Sequence, residues 1–310
     1  MAFAGFDTGN YPGDDKITAW AQDGTYKWVG FYLLAPCHGP AFTPWTGKYQ
    51  FLKNLGLGLA VLYVGRQQDG CGSGSLSRTQ GLNDGADAVA KCTQEGFPQN
   101  VVVFLDVEHF DGGISQPMTD YYRGWISAIL DSGSVKPGTY CADTNANDLI
   151  NAAQQEYAAH GLPGGNPAFW IVKNDLTFDP QTAVPTGSGV SFANIWQGRI
   201  NVAGEAHGGV TISPIDQDVA DSADPSGTLL PASFALTSRL SLPNAAPQAV
   251  EQLRQLFGQV AATVSSEPPV GDPQKRLFFP NGIDLIDATV KVDLKDGVTV
   301  QLKLQGPTKA

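Results

Sequence analysis

Short apolar runs recur along the first 220 residues, with amphipathic stretches between them. The runs cover residues 3–6, 29–34, 58–64, 101–106, 138–141, 168–172, 192–196 and 215–219. Helical periodicity, with apolar positions three and four apart, is clearest over 45–55, 80–95, 118–131 and 147–160. Strand–helix alternation predicts a parallel sheet covered by helices, and eight such runs fit an α/β fold closed into a (β/α)8 barrel of TIM type. The weakest part of that count is 198–214, which separates the last two runs without a helical pattern.

After Asp221 the pattern changes. Residues 223–246 are rich in Ser, Pro, Ala and Leu and read as a linker, so the barrel is expected to span 1–222. Asn244 and Pro247 are suited to start a helix whose face carries Val250, Leu253, Leu256, Phe257, Val260 and Val264. Farther on, Val290, Val292 and Leu294 alternate, as do Val298, Val300, Leu302 and Leu304, around Lys295-Asp296-Gly297. A three-residue loop with Gly297 left-handed pairs Val292 with Val300 and Leu294 with Val298, keeping the apolar faces together. Residues 247–310 are thus expected to form a small α+β appendage, a helix plus a hairpin. A lone hairpin is marginal, so this region needs a surface to pack on, either the rest of the chain or a protein partner.

Composition narrows the function. Apolar residues make up 42% of the 310-residue chain and charged residues 16%, enough for a large core. The net charge of −11 sits in the barrel: residues 1–230 hold 11 Lys/Arg against 23 Asp/Glu, whereas 231–310 hold 8 against 7. Such a field disfavours nucleic acid and anionic membranes as partners. No stretch approaches the apolar length of a membrane span, and the start shows no secretory signal, so a soluble protein is expected, cytoplasmic unless exported by a signal-independent route or after signal removal. Of the four cysteines, Cys37, Cys71, Cys92 and Cys141, reduced and packed states are expected, with a Cys37–Cys71 bridge at the barrel mouth as the alternative. His38 and His109 lack companions at metal spacing, so no metal or other cofactor is expected. The glycine-rich stretch 70–75 lacks the Lys-Ser/Thr of a phosphate loop and reads as a flexible mouth loop.

Barrel enzymes place their sites at the C-terminal strand ends. Acidic residues gather there: Asp7 after the first run, Asp106 and Glu108 at the fourth, and Asp216 in the eighth. Asp106 and Glu108, two apart, share one strand face and point toward the axis. Crowded carboxylates split their pKa values, so one stays protonated while another ionises, as cleavage of a glycosidic bond requires. Glu108, with the longer side chain, is the candidate acid, and Asp106, Asp7 and Asp216 the candidates for orienting substrate or bearing charge. The plainer alternative is that these carboxylates cap helices or pair with Arg66, Lys173 or Arg199. Tyr32, Tyr63, Tyr140, Trp170, Trp196 and Gln197 fall near the same ends and are the candidate sugar-binding residues, since aromatic faces stack on sugar C–H surfaces.

Several motifs in order carry a resemblance: Gly5-Phe6-Asp7, the run 56–65 (GLGLAVLYVG), Gly81 to Ala90 before Gly96-Phe97-Pro98, 103–108 (VFLDVE) and 121–125 (YYRGW). Over residues 3 to about 221 the chain resembles the bacterial domain-of-unknown-function family 1906, whose members are glycoside-hydrolase-like barrels. It is similar, more distantly, to family 25 lysozymes, whose site combines a strand 1 Asp, a strand 4 Asp-x-Glu and a strand 8 Asp. That resemblance implies a muramidase-like site at Asp7, Asp106, Glu108 and Asp216, with Glu108 as proton donor and peptidoglycan or a related polysaccharide as partner. The insertion 198–214 and the strong acidity depart from a wall-binding lysozyme. Two alternatives therefore stand beside a hydrolase: a carbohydrate-binding barrel without turnover, and a component or cargo of a secreted or phage-like assembly docked through 247–310.

Overall fold

A computed structural model describes residues 2–37, 42–107 and 112–229, and the backbone of 240–241, 264–265, 288–293 and 299–304. The chain divides into two compact units, Met1–Leu229 and Leu230–Ala310.

The first unit is a closed eight-stranded barrel. Its first six strands are β1 Phe3–Asp7, β2 Trp28–Leu33, β3 Gly58–Val64, β4 Val101–Val107, β5 Val135–Ala142 and β6 Ala168–Val172, and β7 is Ile195–Val202. A two-strand hairpin, β8 Ala206–His207 and β9 Val210–Thr211, precedes the closing strand β10 Ile215–Ala220. Strands β1 to β7 run parallel, and β10 runs antiparallel to both neighbours, β1 and β7. The closed barrel is as the pattern predicts; the direction of its last strand is not. A hairpin connection needs no crossover helix, which is why 198–214 has no helical pattern. β7 also reaches farther than the run 192–196, because its polar positions at 197, 199 and 201 conceal it.

Among the described residues five α-helices cover the outside: α1 Asp14–Asp23, α2 Tyr49–Asn54, α3 Arg78–Glu95, α4 Gln116–Ser132 and α5 Ala146–Ala159. Helix α1 has no counterpart among the expected segments, although Asp14 and Asp15 in its first turn and left-handed Gly24 at its end are helix signals. Helix α2 is shorter than 45–55 because Gly47 is left-handed, with φ 79°. Ser77 and Ser115 cap α3 and α4 by accepting from the N–H of Gln80 and Met118. These two helices touch closely: a Cβ on Gly81 would lie 2.0 Å from the Tyr121 carbonyl oxygen. The β6–β7 connection carries only a 3-10 turn, Pro185–Ser188.

Strand alternation divides the apolar residues into two sets. Trp28, Ala60, Leu62, Phe104, Trp170, Ile195 and Ala220 fill the barrel interior, with Tyr32 and Tyr140 against them. Leu59, Val61, Tyr63, Val103, Leu105 and Val107 face outward and join the core under the helices.

In the second unit, β11 Leu240–Ser241 pairs in parallel with β12 Val264–Ser265, and β13 Ala288–Asp293 pairs antiparallel with β14 Thr299–Leu304. Val292 lies opposite Val300, the register expected of the hairpin. Val264, expected on a helix face, lies in a strand instead. The Leu294–Val298 pair, Gly297 and the remainder of the expected helix lie outside the described residues.

Candidate functional site

Reversal of β10 determines which carboxylates meet. Asp7 ends β1 at the mouth, and Asp216, near the start of β10, is its register partner. Asp106 reaches the same end of the barrel on β4, where it is level with Tyr140 of β5. Asp7, Asp106 and Asp216 therefore lie at one end of the barrel. Glu108, with His109, and His38 lie outside the described residues.

Gln197 of β7 joins the acids. It is buried, and its Nε2 donates to Asp7 Oδ2 at 2.6 Å and to Asp216 Oδ2 at 3.2 Å. Its Oε1 accepts from the Tyr140 hydroxyl at 2.8 Å. The Tyr32 hydroxyl donates to the other oxygen of Asp7, and the Asn201 backbone N–H donates to Asp216. Asp7 is only 1% exposed and Asp106 6%, whereas Asp216 is half-buried. Burial, and then the charge of Asp216, push the Asp7 carboxyl up to about 7, against the opposing hydrogen bonds from Tyr32 and Gln197. Burial also raises Asp216, while the Asn201 N–H counteracts it. Burial raises the Tyr32 and Tyr140 hydroxyls, and the carboxylates beside them add to the effect. The cluster thus holds at least one proton near neutrality and can present one carboxyl as acid and another as base.

Space for this cluster comes from glycine. A Cβ on Gly30 would lie 2.5 Å from the Cβ of Asp7 and 3.5 Å from the Trp170 ring. The three cations considered as partners go elsewhere: Arg66 bonds Asp84 at 2.9 Å, Lys173 lies 3.3 Å from Asp143, and Arg199 bonds the Leu176 carbonyl.

The candidate sugar-binding residues divide. Tyr32, Tyr140 and Gln197 belong to the acidic cluster. Trp170 lies beneath it, fully buried in the barrel interior and edge-on to Trp28, Phe104 and Tyr140, so it offers no free ring face. Tyr63 and Trp196 occupy outward strand positions. Tyr63 donates to Asp87 on α3, and Trp196 packs on Phe178 and donates to the Lys173 carbonyl. A one-residue step along a strand exchanges the two faces, which is why nearness to a strand end did not bring these rings to the mouth. Asp218, which had no assigned role, lies on the inward face of β10 with Asp216; their two-residue spacing is the signal.

Cys37 and Cys71 form a disulfide between the loops that follow β2 and β3. This corrects the expectation of reduced cysteines for that pair, whereas Cys92 and Cys141 are free and buried. The glycine-rich stretch carries the 3-10 turn Ser73–Ser75 and is tied down by this bridge. Gln67 and Gln68 extend the framework, donating to the carbonyls of Asp106 and Gly113. Among the described residues no group of three or more His, Cys, Asp or Glu could hold a metal ion, and no helix is long and apolar enough to cross a membrane.

Residues 18–220 match the family described as Rv2525c-like, glycoside hydrolase-like domain. The chain belongs to that family. The matched span of this glycoside hydrolase-like domain includes Asp106 and Asp216, while Asp7 precedes it. Among solved structures, an uncharacterized B. stearothermophilus protein is similar in fold, with a TM-score of 0.53 and 19% identity over 74% of this chain and 98% of its own. The Clostridium perfringens spore cortex lytic enzyme SleM matches at 13% identity and a TM-score of 0.49, over 71% of this chain and 67% of its own. GHIP, a glycosyl hydrolase 25 of Streptococcus pneumoniae, matches at 12% identity and 0.46, over 74% and 92%. No curated protein sequence matches the chain.

Proposed function

We propose that the barrel mouth hydrolyses the glycan of bacterial cell walls, or a closely related polysaccharide, in the manner of a muramidase. The observation that carries this reading is the convergence of Asp7, Asp106 and Asp216 from three strands at one end of a glycoside hydrolase-like barrel, with Gln197 bridging two of them. In this reading Glu108, two positions beyond Asp106, donates the proton to the leaving oxygen. The half-buried Asp216 supports the cation-like transition state or activates water, and Asp7 and Asp106 orient the group that does so. Tyr32, Tyr140 and Gln197 fix the acids rather than stack on sugars.

The low exposure of Asp7 and Asp106 favours a second reading, a barrel that binds glycan without cleaving it. One experiment separates the two. Purified protein incubated with peptidoglycan should release soluble reducing sugar, and Glu108→Gln and Asp216→Asn should each lower the rate by at least about a hundredfold. Binding to peptidoglycan with no release above the buffer control would sink the hydrolase and leave the binding barrel.

A further inference from the structure

The proposed chemistry leaves Asp218 unused. This residue lies one inward position below Asp216 on β10, opposite Gly5, and is fully buried. One carboxyl oxygen accepts from Trp170 Nε1 at 3.0 Å. The other, equally buried, receives no N–H or hydroxyl donor; its neighbour is the Asp7 carboxyl. Two ionised carboxylates cannot hydrogen-bond, and burying both side by side is strongly unfavourable. One proton between them removes the difficulty. Asp7 already accepts from Tyr32 and Gln197, which favours Asp7 as the anion.

We propose that Asp218 is a neutral carboxylic acid at neutral pH that donates a hydrogen bond to the Asp7 carboxylate, and so acts as a positioning residue for it. Every polar atom is then used: the Asp218 carbonyl oxygen accepts from Trp170 and its hydroxyl donates to Asp7. Asp7 is held by donors from three strands, Tyr32 of β2, Gln197 of β7 and Asp218 of β10. The titratable groups facing Asp218 are Asp7 on β1, Asp216 on its own strand, Tyr140 on β5 and Tyr26 just before β2. All are acids, and each ionised one opposes a charge on Asp218. A carboxylic acid kept neutral by an apolar site so that it can donate has a precedent in ketosteroid isomerase. The inference goes beyond the proposed hydrolysis and does not depend on it.

Infrared spectroscopy of the full-length protein tests it without an activity assay. At pH 7 the spectrum should contain the C=O stretch of a protonated carboxyl, shifted by carbon-13 labelling of aspartate. Asp218→Asn should lower that band to the part contributed by the Asp7 carboxyl, which is pushed up to about 7. Trp170→Phe, which deletes the hydrogen bond to the same C=O, should keep it at a higher frequency. Absence of the band in the unaltered protein overturns the proposal, as does a band that folded Asp218→Asn retains at undiminished intensity. Should Asp218→Asn not fold, the Trp170→Phe shift decides, and an unmoved band refutes the assignment.

Discussion

Replacing Gln197 by Glu changes shape least and chemistry most. The Gln197 side chain is 1% exposed and supplies one Nε2 donor group to two carboxylates, Asp7 and Asp216. A carboxylate in its place would be a third anion in the cluster, so the introduced glutamate must retain a proton to be tolerated. As a neutral acid it donates one hydrogen bond where Gln197 donates two, a loss of about 0.5–1.5 kcal/mol while the acceptor is protonated and about 1.5–3 kcal/mol once it is ionised. Holding the proton adds a pH-dependent cost. Unfolded Glu titrates at about 4.3, and each pH unit above that costs about 1.4 kcal/mol until the folded pKa is reached. The sign follows from the folded pKa being raised: the stability is fully present below about 4.3 and is lost as pH rises. Relative to the unaltered protein, Gln197→Glu should therefore lose about 1–2 kcal/mol near pH 4.5 and roughly 6 kcal/mol near pH 7.5. Urea denaturation of both proteins at the two pH values measures this difference. Gln197→Leu, which cannot bind a proton, serves as the control lacking this added dependence. Equal losses for Gln197→Glu at both pH values, within about 1 kcal/mol, would refute the bridging role.

Two further predictions concern the frame of the site. The Cys37–Cys71 bridge closes a loop with a sequence separation of 34, for which chain entropy gives an upper value of about 4 kcal/mol. Alkylation of the unfolded protein should find two thiols before reduction and four after it, and Cys37→Ser with Cys71→Ser should lower stability by about 2–4 kcal/mol in guanidinium denaturation; four thiols before reduction would exclude the bridge. Gly30→Ala places a methyl group 2.5 Å from the Cβ of Asp7 and should cost about 1–3 kcal/mol through overpacking, whereas Gly9→Ala, with nothing within 4 Å of its Cβ, should be neutral in the same thermal unfolding assay.

The barrel was legible because its strands are nearly continuous apolar runs of the right length, separated by helices with clear periodicity. Helix α1 was not, since only Ile17 and Trp20 of its ten residues are buried and a single buried edge leaves a weak periodic signal. The acids were legible as strand-end carboxylates, and Tyr32, Tyr140 and Gln197 stand with them. Tyr63 and Trp196 were misplaced because proximity to a strand end does not fix which face a residue occupies. Parity does: Tyr63 follows the inward Leu62, and Trp196 follows the inward Ile195. The disulfide was open from sequence because its two cysteines lie in loops after different strands, and the parallel pairing of β2 with β3 brings them together.

Asp216 shows how a weak point in the pattern carried information. In a fully parallel barrel the mouth end of the last strand would hold Val219 and Ala220, and Asp216 would lie at the base, away from Asp7. Because β10 is reversed, its first residues reach the mouth and Asp216 pairs in register with Asp7. That reversal requires a hairpin in place of a crossover, and a hairpin leaves no helical periodicity. The missing helix over 198–214 and the acid at the start of the eighth run are thus one fact seen twice. An acidic residue near the N-terminal end of a barrel strand argues for a mouth site when the segment before it is short and forms a hairpin, as 203–214 does; the longer 173–194, also without an α-helix, still returns β7 parallel to β6.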